Sequence, residues 1–207
     1  MRLNWFHVQE FQSVRDSGIV NVDDITCLVG KNEAGKTALL KALYRLNPIV
    51  GTDSTFDVTT DYPGRDVEDY RLAIEAHERD HAIPIKACYC LDEAELTEIR
   101  ELLGDGCIKK PELIMSKNYE NKVTFSLAID NSKALKYLIE KADFSEQTRD
   151  AIEPTDRTVD ALIPALQAQE QTQEVARVIS ILNAIKDRGV AGYVYDNILK
   201  RYCSPFA

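Results

Sequence analysis

Gly30, Gly35, Lys36 and Thr37 stand at the spacing G-x-x-x-x-G-K-T within the stretch ITCLVGKNEAGKTALLKALYRL. Each residue type has a task in holding a polyphosphate. The glycines let backbone N–H groups approach and cradle phosphate oxygens, the lysine reaches the outer phosphates, and the threonine hydroxyl ligates Mg²⁺. On this reading Gly30, Lys31, Asn32, Glu33, Ala34, Gly35, Lys36 and Thr37 form a nucleotide-binding loop. Lys36 is its catalytic cation, Thr37 its metal ligand, and ATP with Mg²⁺ the expected pair of cofactors.

Such a loop works between a strand and a helix, because a helix N-terminus turns its free N–H groups and positive dipole end toward an anion. Residues 25–29 are a short apolar run of the kind buried on both faces of a parallel sheet, and they predict a strand. Beyond the loop, Leu39, Leu40, Leu43, Tyr44 and Leu46 recur at helical spacing, and Asn47-Pro48 supplies a stop.

Two further constellations imitate active sites. His77-Glu78-Arg79-Asp80-His81 matches H-E-x-x-H, in which two histidines on one helix face bind zinc and the glutamate acts as general base. Pro84 follows too closely for a sustained helix, even with Glu98 or Glu101 as a formal third ligand, so an exposed helix end or loop is expected. The segment ACYCLDE at 87–93 resembles the apolar strand ending in Asp-Glu that serves ATP hydrolysis. There Asp92 would hold Mg²⁺ through water, Glu93 would polarise the attacking water, and Asn131 would act as a sensor. The competing assignment makes Asp92 a helix N-cap with Glu95 in the reciprocal position, Leu96, Ile99 and Leu103 on one face, and Gly104 at the end. Both assignments stay open at the level of sequence.

The 207 residues carry 25 basic and 34 acidic side chains, a net charge of −9 that opposes loose adhesion to nucleic acid or anionic membrane. The N-terminus lacks the pattern of a secretion signal and no apolar run is long enough to span a bilayer, so a cytoplasmic protein is expected. Five cysteines are present. Cys88 and Cys90 lack the C-x-x-C spacing of a zinc site, and buried free thiols are expected.

In chain order, residues 3–14 read as a strand ending in a turn at Asp16-Ser17-Gly18, with 19–22 returning as a second strand. A loop fills 51–63, a short helix 67–76 and a strand 83–91. Residues 113–116 and 122–129 suggest a hairpin, with Val123, Phe125, Leu127 and Ile129 on one side. From 131 onward the pattern is helical. Pro154 and Pro164 divide this tail, Val175, Val178, Leu182 and Ile185 form an apolar stripe closed at Gly189, and Tyr202 onward reads as entry into another strand.

The pieces EFQSVRDSG and LVGKNEAGKTALLKAL resemble the amino-terminal part of the SMC/RecF-like ABC ATPases, most closely the OLD-family (overcoming lysogenization defect) ATP-dependent nucleases. The resemblance is carried by residues 1–50. It implies an α/β P-loop NTPase fold, an ABC-ATPase-like head lobe with a mixed sheet and a helical C-terminal arm. Residues 1–130 would be the ATPase lobe, and 131–207 a helical arm or insert suited to dimerisation. It further implies an ATP-binding part of a homo-oligomer coupled to DNA cleavage or processing, with phage defence as its setting. DNA would be reached through a missing C-terminal region or a partner nuclease, with no membrane involved. In such heads a signature motif and a Walker B strand lie much further along the chain. Gln12 stands where relatives often carry a basic residue. Two alternatives remain beside this one: an AAA+-type ATPase with Asp92-Glu93 as Walker B, and a non-enzymatic ATP-dependent assembly module holding a nuclease or toxin partner.

Overall fold

The computed structural model describes residues 1–31, 35–48, 51–152 and 158–203. A hairpin of β1 (Arg2–Phe11) and β2 (Val14–Asn21) opens the chain, and the helix α1 (Lys36–Leu46) follows the glycine loop. A 3₁₀ turn (Gly51–Ser54), α2 (Val58–Asp61) and α3 (Val67–Glu75) lead to β3 (Ile85–Cys90). Then come α4 (Glu93–Leu103), β4 (Ile108–Lys117), β5 (Val123–Ile129) and α5 (Asn131–Lys141). The chain continues through α6 (Glu146–Ile152), α7 (Val159–Gln167), α8 (Gln173–Val194), a π-helical turn (Tyr195–Leu199) and α9 (Lys200–Cys203). Two compact units result, one of Met1–Cys90, Glu112–Phe125 and Tyr202–Ala207, the other of Leu91–Pro111 and Ser126–Arg201.

The five strands lie in the order β2-β1-β3-β4-β5. The pairs β1–β2, β1–β3 and β3–β4 are all antiparallel. The sheet is therefore antiparallel where a mixed one was expected. A short turn forces this only for β1–β2, because a parallel pair needs a long crossover; β1–β3 and β3–β4 are antiparallel although helices lie in their connections.

The expected strand at 25–29 is absent. Residues 25–31 run without regular structure, with Ile25 91% and Val29 90% exposed. An apolar run becomes a strand only where a neighbouring strand takes up its backbone N–H and C=O groups. Among the described residues no strand lies beside it.

The opening hairpin also turns earlier than expected, at Gln12-Ser13, so that Asp16, Ser17 and Gly18 lie inside β2. Asp16 explains why these turn-forming residues are tolerated in a strand. Its carboxylate accepts from Gly18 N at 2.7 Å and Gln9 Nε2 at 3.1 Å and meets His7 Nε2 at 2.6 Å, where the β1–β2 register shifts. Glu10, at φ 47, interrupts the alternation of β1 so that Phe11 faces inward with Phe6 and Val8.

Phe6, Val8 and Phe11 of β1 join Ile85 and Ala87 of β3 and Leu113 and Met115 of β4 in the core of the first unit. Each large apolar side chain so buried stabilises the fold by roughly 1.5–3 kcal/mol. Helix α1 packs on β1 and β3, and Ala38, Ala42 and Leu46 are its buried residues. Of the residues that recur at helical spacing, Leu46 is buried and Leu40 is 57% exposed.

In the second unit, α4 carries the capping box expected of it. Glu95 N donates to Asp92 Oδ1 at 3.0 Å and Asp92 N donates to Glu95 Oε2 at 2.8 Å. The core of this unit includes Leu135, Phe144, Leu162, Leu166, Val178 and Leu182, and α7 packs on α8. The stripe Val175, Val178, Leu182 and Ile185 is buried as expected. Pro164 does not divide the tail but lies inside α7. It forfeits one backbone hydrogen bond there, which the burial of Leu162, Ile163 and Leu166 around it offsets. Gly189, at φ 71 and ψ 168, leaves the helical backbone and closes the first helical stretch of α8 as expected, with a second stretch following it. Tyr202 is helical rather than extended, and Pro154 and residues 204–207 lie outside the described residues.

Candidate functional site

Helix α1 begins at Lys36 without a side-chain cap and without an acidic residue in its first turn. Among the described residues no side chain caps it, and the N–H groups and positive dipole end of such a terminus suit an anion. The N-cap is Gly35 at φ 83, a backbone state that favours glycine. Packing makes the same demand. A Cβ on Gly35 would lie 2.8 Å from Val14 Cγ2 and 3.4 Å from Ser13 Oγ, so the β1–β2 turn is pressed against the start of the helix.

Lys36 Nζ donates to the carbonyls of Gly30 and Lys31, each at 2.6 Å, which folds the ammonium back over the loop. Phosphate oxygens can replace those carbonyls as partners, since an ammonium has three rotatable donors. Thr37 is exposed at the same end of the helix. Among the expected loop residues, Asn32, Glu33 and Ala34 lie outside the described residues.

Gln12, Ser13, Gly35, Lys36, Thr37, Ala38 and Lys41 line an open, polar depression of ≈ 340 Å³. Its described lining has two lysines and no carboxylate, a local positive field on a chain of net charge −9. Thr37 supplies a hard oxygen suited to Mg²⁺. That ion commonly reaches such sites on the phosphates it accompanies and keeps several of its waters. Sequence reasoning missed Ser13 and Lys41. Lys41 was within reach, standing four residues beyond Thr37 and hence on the same helix face. Nothing local marks Ser13, which only the hairpin delivers.

The far end of α1 is held by buried charge. Arg45 Nη1 pairs with the carboxylate of Asp61, which is 2% exposed. The guanidinium lies 5.4 Å from the Phe11 ring centre and 5.5 Å from that of Phe56. Lys117 Nζ donates to Ser54 O and, at 3.4 Å, to Arg45 O at the helix C-terminus, where a cation suits the dipole. Burial, then the Arg45 charge, lower the Lys117 pKa. Asp61 also reaches back toward the depression: its carbonyl accepts from Gln12 N at 2.5 Å and its carboxylate from Gln12 Nε2 at 3.5 Å.

The two imitation sites separate here. His77, at φ 56, sits in the turn that closes α3, so it cannot share a helix face with His81. Arg79 between them pairs with Glu10 at 3.1 Å and lies 4.8 Å from the Tyr70 ring centre. Among the described residues no group of three or more His, Cys, Asp or Glu is arranged to hold a metal ion. Asp92 is engaged in its cap, and the Glu95 backbone N–H holds its carboxyl below the usual carboxylate range. The strand before it, β3, lies antiparallel between β1 and β4.

No helix among the described residues is long and apolar enough to cross a membrane. The family model of the AAA ATPase domain matches residues 1–180. No curated protein matches the chain.

Proposed function

We propose that this chain, which belongs to the AAA ATPase domain family, binds ATP·Mg²⁺ through residues 30–37 and supplies one half of an ATP site. The observation that carries this reading is the uncapped N-terminus of α1, opening with Lys36 and Thr37 onto a depression whose described lining has no acid. Lys36 and Lys41 meet the phosphates, and Thr37 accompanies the metal. Titration calorimetry with ATP tests it. Losing a charge-assisted bond worth about 1.5–3 kcal/mol weakens binding about 10- to 100-fold, the loss expected of Lys36→Ala. Equal affinity in that variant would refute the reading.

The groups that activate water come, on this proposal, from further polypeptide, in the same protein or in a second subunit. The acid-free lining supports this, as do the exposed Ile25, Val29 and Leu40 beside the loop. Residues 1–130 would then act as the ATPase lobe and 131–207 as a helical arm for dimerisation. The resemblance of residues 1–50 to OLD-family proteins favours a cytoplasmic homo-oligomer coupled to DNA cleavage or processing. The engagement of Asp92 and Glu95 in a cap weighs against Asp92-Glu93 as Walker B. Oligomer size with and without ATP, measured together with turnover, separates a nuclease-coupled ATPase from an assembly module.

A further inference from the structure

Gln12 is gripped twice by Asp61, through its backbone N–H at 2.5 Å and through its side-chain amide at 3.5 Å. Asp61 is itself fixed. Its carboxylate is paired with Arg45, accepts from Asp57 N at 2.9 Å, and is almost wholly withdrawn from solvent. A second sign of constraint is the φ of 51 at Gln12, a left-handed state uncommon for a residue with a side chain. The turn is therefore held in one conformation at the mouth of the depression, with Lys36 and Thr37 among its neighbours in the lining.

That grip decides which end of the amide is left over. A carboxylate only accepts hydrogen bonds, so it takes the NH₂ end of Gln12. The end that remains is Oε1, an acceptor. An acceptor repels phosphate oxygens but suits water bound to a cation. We propose that Gln12 presents Oε1 to the water shell of the Mg²⁺ that accompanies bound nucleotide, and that Asp61 is the positioning residue that sets the amide's orientation. This rests on the nucleotide-binding reading above. It assigns Gln12 the opposite chemistry from the phosphate contact of a basic side chain.

The test uses the full chain and a fluorescent ATP analogue, titrated once with excess Mg²⁺ and once in EDTA. Gln12→Met keeps the length of the side chain and removes its hydrogen bonds. Outer-shell partners of a metal contribute about 10- to 100-fold to affinity, so at least tenfold weaker binding is expected with Mg²⁺ and less than twofold change in EDTA. Asp61→Asn, whose own NH₂ allows the Gln12 amide to turn over, is expected to give the same Mg²⁺-selective loss. It should add nothing in the Gln12→Met background. Equal losses with and without Mg²⁺, or no loss from Gln12→Met, would overturn the assignment. An Asp61→Asn loss that persists undiminished in Gln12→Met would assign Asp61 to the fold alone. If Asp61→Asn fails to fold, the Gln12→Met comparison decides by itself. Lys36→Ala is the control: unchanged binding there sinks the phosphate-loop reading, whereas a loss in both buffers leaves that reading standing while the Gln12 arms report separately.

Discussion

Gly35→Ala probes the contact that joins the β1–β2 turn to the start of α1. Two penalties combine. An alanine at φ 83 enters the left-handed region, which costs a residue with a Cβ roughly 1–2 kcal/mol. Its Cβ would also lie 2.8 Å from Val14 Cγ2, and overpacking of that kind costs about 1–3 kcal/mol. The sum is roughly 2–5 kcal/mol. Val14→Ala removes the offending methyl groups and leaves the backbone penalty in place. In a double-mutant cycle followed by thermal and urea unfolding, the two substitutions should couple favourably by about 1–3 kcal/mol, the steric share alone. ATP affinity should fall in Gly35→Ala and recover in part in the double variant. Additive effects, or a Gly35→Ala protein as stable as the parent, would refute the packing of the turn on the start of α1.

Asp92→Ala removes the capping box of α4 and should cost about 1–2 kcal/mol while leaving ATP affinity unchanged. Turnover by residues 1–207 that vanishes with this substitution would instead favour the Walker B assignment. The Gly18 backbone N–H, then His7 and Gln9, lower the Asp16 pKa from 3.8 to about 2, so the fold favours its ionised form. That contribution is complete above the ordinary value near 3.8 and fades as pH falls toward about 2, so Asp16→Asn should flatten acid unfolding in this window. An unchanged acid limb would contradict it. Among the thiols, Cys27 is exposed whereas burial pushes Cys88 up to about 11, with Glu112 and Cys90 adding to the rise. An aromatic disulfide reagent should therefore label Cys27 in the folded protein and reach Cys88 only on unfolding. Rapid labelling of both by mass spectrometry would count against the burial of β3.

Local chemistry was legible wherever a residue's task depends on its near neighbours. The Asp92/Glu95 box, the stripe from Val175 to Ile185 and the helix after Gly35 follow from spacing, because caps and helix faces are settled within one or two turns. The hairpin turn was misplaced because Asp16-Ser17-Gly18 carries stronger turn propensity than Gln12-Ser13. Contacts from Asp16 to residues on the opposite strand reversed that preference. Pro164 was misread for a similar reason, since the burial of its neighbours outweighs one lost hydrogen bond.

The sequence by itself determined where the candidate phosphate loop stands, because G-x-x-x-x-G-K-T places glycine, ammonium and hydroxyl within a single loop and the first turn of its helix. Tertiary structure decided what surrounds that loop. It brought Gln12 and Ser13 to the mouth of the depression, linked Gln12 through Asp61 to Arg45, and left Ile25 and Val29 in solvent. Those outcomes depend on pairings between residues far apart in the chain. A strand needs a neighbour to receive its hydrogen bonds, and a buried carboxylate needs its cation, and neither requirement is written in the spacing of one segment.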